Sequence, residues 1–405
     1  MIRSYWFKNY KSFKEEAVVD LTCKPSIQGP YFVKGIDGKN ISLASCLIGP
    51  NAGGKTTALK PLVLLGWLID QSFKINIDDK IPCSPHFFQE DEPTELGYEF
   101  SNEAFHENDN STSRIYRYII IIKDGYIIEE KLSVKSSTKF SYIIERKWDF
   151  EKKEFVIKSK IKELVSLPAF KNRNNVSLLS LLKQSGFKDF YFLEGLIKNI
   201  NLGHSDNFED SSIRVQYMPN FMIFKLSKKL YDDSDLRNKI NTIVRSLDMG
   251  VSSIEAKQYS FGDTENNTML IATHTQDGDT KILPVFQESA GTQSLIVFLS
   301  EVLPILEKGG IVVVDELESN LHPHVMEFIL KIFAHSKWNK NKAQIIFTSH
   351  AINIINNLEK EQIYMVEKYD CDSELWRLDQ IENVRREDNF AAKYLAGAFG
   401  ALPNI

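Results

Sequence analysis

The sequence predicts an α/β chain whose two chemically active segments lie at opposite ends of the polypeptide, and three observations predict it. Short apolar runs of strand character alternate with helical periodicity in both terminal thirds. A glycine-rich loop ending in Lys55-Thr56 joins one such strand to one such helix. The apolar run Ile311 to Val314 ends in adjacent acids, Asp315 and Glu316. The length, 405 residues, is too great for one ordinary compact domain, so several domains or one fold with a large insertion are implied. With 43% hydrophobic, 25% charged and 11% aromatic residues, disordered, collagen-like and coiled-coil chains are excluded.

From the N-terminus, Ser4 to Phe7, Ala17 to Leu21 and Ser42 to Ile48 alternate as strands, with Gly and Pro between them. A helix is expected from Thr56 to about Phe73. Tyr116 to Ile122 and Tyr126 to Val134 form a hairpin about Lys123-Asp124-Gly125, and Ser141 to Trp148 with Glu154 to Lys158 form a second. Between Val176 and Ser246 the apolar period moves towards 3.6, at Leu178, Leu179 and Leu182 and again at Leu236, Ile240, Ile243 and Val244. That stretch is expected to be a mainly helical insertion. Strands return at Val251 to Tyr259, Thr268 to Thr273 and Lys281 to Val285. A helix from Thr292 to Leu306, the strand ending at Val314, a helix from Pro323, a strand Gln344 to Phe347 and a helix near Ala351 complete the pattern. The division expected is 1–160, 161–248 and 249–405, a central insertion between two halves of one head.

The apolar runs Pro61 to Ile69 and Leu295 to Leu306 are shorter than a bilayer-spanning helix requires, so no membrane association is expected. The charged N-terminus lacks the apolar stretch of a signal peptide. Cys23, Cys46, Cys83 and Cys371 have neither metal-site spacing nor disulfide density, which fits reduced thiols and a cytoplasmic location. A net charge of −5 means that any nucleic-acid contact would need a local basic patch. Lys131 to Arg173, with 12 Lys or Arg against 5 Asp or Glu, is such a run; it could serve a nucleic acid or form the solvated face of two hairpins.

Gly49-Pro50-Asn51-Ala52-Gly53-Gly54-Lys55-Thr56-Thr57 satisfies G-x-x-x-x-G-K-[ST] in the strand-loop-helix context that gives the motif its meaning. Backbone N–H groups about Gly49, Asn51, Gly53 and Gly54 point into one concavity at a helix N-terminus, Lys55 meets the β and γ phosphates, and Thr56 offers a hydroxyl to Mg²⁺ beside Thr57. Asp315 can hold Mg²⁺, and Glu316 can orient and polarise an attacking water. His350, after the strand Ile345 to Phe347, can hydrogen-bond a γ-phosphate or simply cap the strand end. Ser289 and Gly291 precede an apolar helix, either as an anion site serving the nucleotide of another subunit or as an ordinary cap.

Together these residues resemble the ABC-type ATPase heads shared by SMC and RecF-like proteins. The resemblance implies an α/β ABC-type P-loop head with a β-hairpin lobe and a helical insertion, binding ATP and Mg²⁺. Its elements would be Walker A (Gly49 to Thr57), a signature (Ser289 to Gly291), Walker B (Ile311 to Glu316), a D-loop (Ser319-Asn320-Leu321-His322) and a switch histidine (His350). Asn9 to Phe13 is similar to the family's N-terminal N-F-K-S-F strand, and Gln89 is the expected Mg²⁺-touching glutamine. The signature departs from the transporter form, and His322 stands where the D-loop usually has Asp, which disfavours a transporter. Glu288-Ser-x-Gly-Thr, the Asp315-Glu-x-Glu-x-x-Leu-His-Pro stretch and the ending Tyr394 to Pro403 resemble the anti-phage ATPases of the RloA, PARIS AriA and Septu PtuA group, relatives of the OLD nucleases.

That likeness implies homo-oligomers joined through composite ATP sites and a separately encoded effector, a Toprim or HNH nuclease. A DNA-repair ATPase and an ATP-stabilised scaffold are the alternatives. Glu367 and Asp370-x-Asp372 imitate Toprim acids but are placed like a turn, and only 33 residues follow Asp372, so no intrinsic nuclease is expected.

Overall fold

The strands Ala44–Ile48, Ile311–Asp315 and Gln344–Thr348 are near-continuous buried runs, which is how parallel strands read when both faces are covered. They form the centre of a six-stranded sheet in a computed structural model that describes residues 1–102, 113–165, 168–186, 190, 193, 196–201, 219–247, 250–261 and 264–403. The order is Ile197–Asn201, Ile311–Asp315, Gln344–Thr348, Ala44–Ile48, Ile363–Tyr369 and Asp372–Arg377. The first five are parallel and the last turns back antiparallel.

Period-two alternation sends the residues of this sheet to two cores. Leu47, Ile311, Val313, Ile346, Tyr364 and Val366 face the P-loop helix Lys55–Asp70 and, beyond it, a seven-stranded antiparallel lobe. Ala44, Cys46, Ile48, Val312, Val314, Ile345 and Phe347 face the helices Ala290–Lys308 and Pro323–Ala334. The P-loop helix is thus held between two sheets, with Tyr5 and Tyr98 donating their hydroxyls to its Ala58 and Pro61 carbonyls at 3.0 and 2.7 Å.

The lobe runs Glu154–Ser159, Lys139–Asp149, Tyr126–Ser136, Ile115–Lys123, Thr94–Ser101, Ile2–Lys8 and Ala17–Asp20, so the two expected hairpins join the N-terminal strands in one meander. A charged network fastens it. Buried Arg146 donates from Nε to Glu130 Oε2 at 2.6 Å and to the Phe170 and Val176 carbonyls, while Glu130 Oε1 accepts from Tyr118 and from the Leu178 N–H. Each guanidinium nitrogen of this interior pair therefore meets an acceptor, the condition under which a buried charge persists.

The expectation of a helical stretch from Val176 to Ser246 meets helices Leu178–Gln184, Pro219–Asp232 and Ser234–Ser246, but also the strand Ile197–Asn201. Ile-Lys-Asn-Ile-Asn carries no strand signal of its own; it becomes an edge strand because Ile311–Asp315 offers it a parallel ladder. Residues 202–218 of this stretch lie outside the described residues. The strands Ser253–Phe261, Thr264–Gln276 and Asp279–Pro284 form a three-stranded sheet against the last two of these helices.

The expectation that no apolar helix is long enough for a bilayer is corrected at Ala290–Lys308. This helix of 19 residues is long and apolar enough by length and composition, since it starts at Ala290 and ends at Lys308, beyond both ends of the run Leu295 to Leu306. Its Leu295, Ile296, Phe298, Leu299, Val302 and Leu303 are buried in the protein's own core.

Candidate nucleotide-binding site

The C-terminal ends of three parallel strands converge on one cleft of about 450 Å³. Ala44–Ile48 delivers the loop of Asn51, Gly53 and Gly54 with Lys55, Thr56 and Thr57; Ile311–Asp315 delivers Asp315 and Glu316; Gln344–Thr348 delivers His350. Gly49 lies at the root of the loop, pressed against the neighbouring strand. A Cβ there would stand 1.9 Å from the Val366 carbonyl oxygen, so no other residue allows the loop to leave the sheet at this point.

Thr56 Oγ1 donates to Asp315 Oδ2 at 2.8 Å, joining residues 259 apart in sequence. The other carboxylate oxygen accepts from Thr348 Oγ1 at 2.5 Å, and Thr348 Oγ1 in turn accepts the Glu316 N–H at 2.7 Å. Thr348 therefore locks both acids to the adjacent strand end. Glu316 has a left-handed φ of 52°, a conformation costing a non-glycine residue roughly 1–2 kcal/mol. The turn places its carboxylate in the cleft with Oε1 3.8 Å from His350 Nε2, and Ser319 Oγ lies 3.4 Å from Oε2. A hydroxyl beside a carboxylate is a donor set suited to Mg²⁺, with the remaining positions left for water and phosphate. Thr56 and Asp315 would hold the ion; among the described residues no cluster of three or more His, Cys, Asp or Glu could hold a metal ion.

Lys55 is buried and donates to the Gly49 and Pro50 carbonyls, both at 2.9 Å. Burial pushes its ammonium below the usual lysine range, while the Asp315, Glu316 and Glu318 carboxylates oppose that shift. A phosphate oxygen is a stronger partner for this ammonium than either carbonyl.

Gln89 is not among the residues lining the cleft. It sits in a loop pinned by Asn9, whose Nδ2 donates to the Gln89, Glu92 and Pro93 carbonyls and whose Oδ1 accepts the His86 N–H. The Asn9 to Phe13 segment is thus a tight turn that buries Phe13, and its contribution to the cleft is Ser12. Ser12 and Lys368 escaped the sequence reading. Ser12 bonds Ser373 of the C-terminal hairpin at 2.9 Å, and Lys368 lies on the strand beside the P-loop strand. Lys368 has no motif and is brought in by strand pairing, whereas Ser12 belongs to the Asn9 to Phe13 segment and enters from its turn.

Ser289 and Gly291 do not line the cleft of their own chain. Ser289 caps the helix Ala290–Lys308, accepting the Thr292 N–H at 3.2 Å. A Cβ on Gly291 would meet the Asn320 carbonyl oxygen at 2.8 Å, so the signature lies directly on the D-loop. Behind it, His274 Nε2 lies 2.7 Å from Glu288 Oε1 and its Nδ1 2.8 Å from the Gly250 carbonyl. A protonated ring donates to both and a neutral one to only one.

A family described as "AAA domain, putative AbiEii toxin, Type IV TA system" matches residues 44–356, well over half of the sequence. The chain belongs to this family. As a member of it, the protein carries an AAA-type ATPase domain whose P-loop and acidic strand are the ones that meet in the cleft. No curated protein matches the sequence. Among solved structures, it is similar to an SMC head bound to the C-terminal winged-helix domain of ScpA (14% identity, TM-score 0.46, 94% of this chain and 99% of that one). It is also similar to the SMC head domain from Thermotoga maritima (10%, 0.40, 93% and 98%) and to the Pyrococcus furiosus Smc head with an extended coiled coil bound to ScpA (13%, 0.43, 98% and 99%). At these scores the likeness adds nothing to the assignment, which stands on the sheet order, the P-loop and the family match.

Two other expected features have plain places. Glu367 and Asp372 lie on the hairpin Ile363–Tyr369 and Asp372–Arg377, with Asp370 in its turn; Glu367 accepts the Ala401 N–H, and His86 Nε2 lies 3.0 Å from Asp372 Oδ1. Of the basic run, Arg146 is in the interior, Lys131 and Lys147 pair with Glu145 and Glu129, and Lys152 with Asp149. Trp148 packs edge-on to Phe155, while Phe150 is exposed.

Proposed function

We propose that the protein binds ATP with Mg²⁺ and hydrolyses it at composite sites between two copies, and that this cycle regulates a separately encoded effector nuclease of Toprim or HNH type in cytoplasmic anti-phage defence. The observation that carries the reading is the cleft itself. Thr56, Asp315, Glu316, Lys55 and His350 meet in one place, whereas Ser289 and Gly291 are not among the residues that line it. Lys55 and the loop N–H groups would bind the phosphates, and Mg²⁺ held by Thr56 and Asp315 would screen their charge. Glu316, turned into the cleft, would orient water and accept its proton, while His350 beside it would contact the terminal phosphate. A second copy would complete the site with its Ser289 and Gly291, whose helix N-terminus would donate N–H groups to the phosphate. The toxin and toxin–antitoxin wording of the family supports a defence setting, and the effector is the finer part of the proposal.

Glu316→Gln is the test. It keeps the shape and removes the base, so ATP turnover is expected to fall roughly a hundredfold or more while ATP binds and traps a dimer visible by sedimentation. Turnover at the wild-type rate would refute the assigned role, and a monomer with ATP bound would refute the composite site.

A further inference from the structure

The Asp315-Glu316-Leu317-Glu318 segment holds a third carboxylate to which the nucleotide chemistry above gives no task. Glu318 follows Glu316 by two residues, on a turn bounded by left-handed Glu316 and Asn320 and tied by Ser319 N–H to the Glu316 carbonyl and Leu321 N–H to the Glu318 carbonyl, both at 2.9 Å. This turn folds its side chain under the switch loop rather than into solvent. Glu318 Oε1 accepts the backbone N–H of His350. Its Oε2 is buried and has no hydrogen-bond partner among the described residues.

The neighbourhood makes that contact decisive for His350. The loop after the switch strand is held at Ser349, whose N–H reaches the Leu47 carbonyl at 3.3 Å and whose Oγ accepts the Ala351 N–H at 3.0 Å. The His350 side chain is 39% exposed, so packing does not fix it. Among the described residues, the bond that anchors its backbone N–H is the one to Glu318. A neutral acceptor would satisfy that N–H equally well. A carboxylate in addition supports positive charge nearby, and Glu318 is among the acids that oppose the burial of the Lys55 ammonium.

We infer that Glu318 is a positioning residue for the γ-phosphate end of the cleft: it holds the His350 backbone so that the imidazole stands beside Glu316. It touches neither nucleotide nor water, and acts through His350. The inference rests on the ATPase reading above, and its test separates the two.

The test compares Glu318→Ala, Glu318→Gln, His350→Ala and the double variant Glu318→Ala/His350→Ala in the full-length chain. Glu318→Ala is expected to lower kcat roughly tenfold to a hundredfold, the scale of a misplaced catalytic group, with ATP affinity and melting temperature little changed. Glu318→Gln keeps an acceptor oxygen and should recover most of the loss. The double variant should be no slower than His350→Ala alone, because both changes remove one function. A wild-type kcat in Glu318→Ala, losses that multiply in the double variant, or a loss confined to affinity would each overturn the proposal. Independently of turnover, NMR hydrogen exchange of the His350 backbone amide in nucleotide-free protein should quicken in Glu318→Ala and be slowed again in Glu318→Gln, which keeps the acceptor oxygen. An unchanged exchange rate overturns the positioning role even if the wild-type chain hydrolyses no ATP, a result that would itself refute the ATPase reading.

Discussion

The P-loop side and the signature side of this protein are built in opposite ways. On the first, three strand ends bring Lys55, Thr56, Asp315, Glu316 and His350 into one cleft, and Thr56, Asp315, Glu316 and Thr348 are bonded to one another, Thr56 to Asp315 and both acids to Thr348, across long sequence separations. On the second, Ser289 bonds only to its own helix start, and Gly291 rests on the D-loop. The first is closed on itself, and the second presents a helix N-terminus outward. A site that needs both must take them from two chains, or the signature has no role in it.

Two defective chains, one impaired on each side, would show whether the two sides serve one another. Lys55→Ala and Ser289→Arg should each abolish turnover alone. Mixed in equal amounts, they should recover about a quarter of the wild-type rate, because half of randomly paired dimers carry one intact site of two. No recovery, with both variants folded, would mean that Ser289 does not serve a partner's nucleotide.

The second contrast lies between the antiparallel lobe and the parallel sheet. The lobe depends on one interior ion pair, so Glu130→Ala should leave Arg146 charged and unpaired and cost about 3–5 kcal/mol in urea denaturation. A loss below about 1 kcal/mol would show that the lobe tolerates an unpaired interior guanidinium.

The smallest expected effect concerns the edge strand. Glu301, on the helix that begins at the signature, pairs with Lys198 of Ile197–Asn201 at 2.6 Å and with Lys229 at 3.2 Å. Burial raises its pKa, but the two ammonium groups outweigh this and hold it below the usual glutamate range. A depressed carboxylate stabilises the fold above its unfolded pKa of about 4.3, and the contribution is lost as pH falls through the lower, folded value. Glu301→Gln should therefore lower the melting temperature slightly at pH 7 and narrow the difference from wild type in acid; a constant difference from pH 7 to pH 3 would remove the ion pair from the account.

Much of the fold was legible because its signals are local. The P-loop needs glycine, lysine and threonine at fixed spacing, and the buried strands Ile311–Asp315 and Gln344–Thr348 announce themselves as unbroken apolar runs. The hairpin turn Asp124-Gly125 is set by left-handed residues that the sequence displays. The failures share one cause. Ile197–Asn201 is a strand only because a neighbour offers a ladder. Gln89 is suggested by resemblance alone, whereas Asn9 holds its loop by three backbone carbonyls and Gln89 is not among the residues that line the cleft.

The sequence by itself determined the phosphate loop, the acids Asp315 and Glu316, and the alternation of strands and helices that puts them at strand ends, because each depends on residues within a few positions of one another. Only the tertiary structure decided that Thr348 locks both acids, that Ser12 and Lys368 join the cleft, and that Glu318 holds His350. Those are contacts between side chains on separate strands and turns. Their partners are chosen by parallel register and by the packing of two sheets about one helix, which no spacing along the chain records.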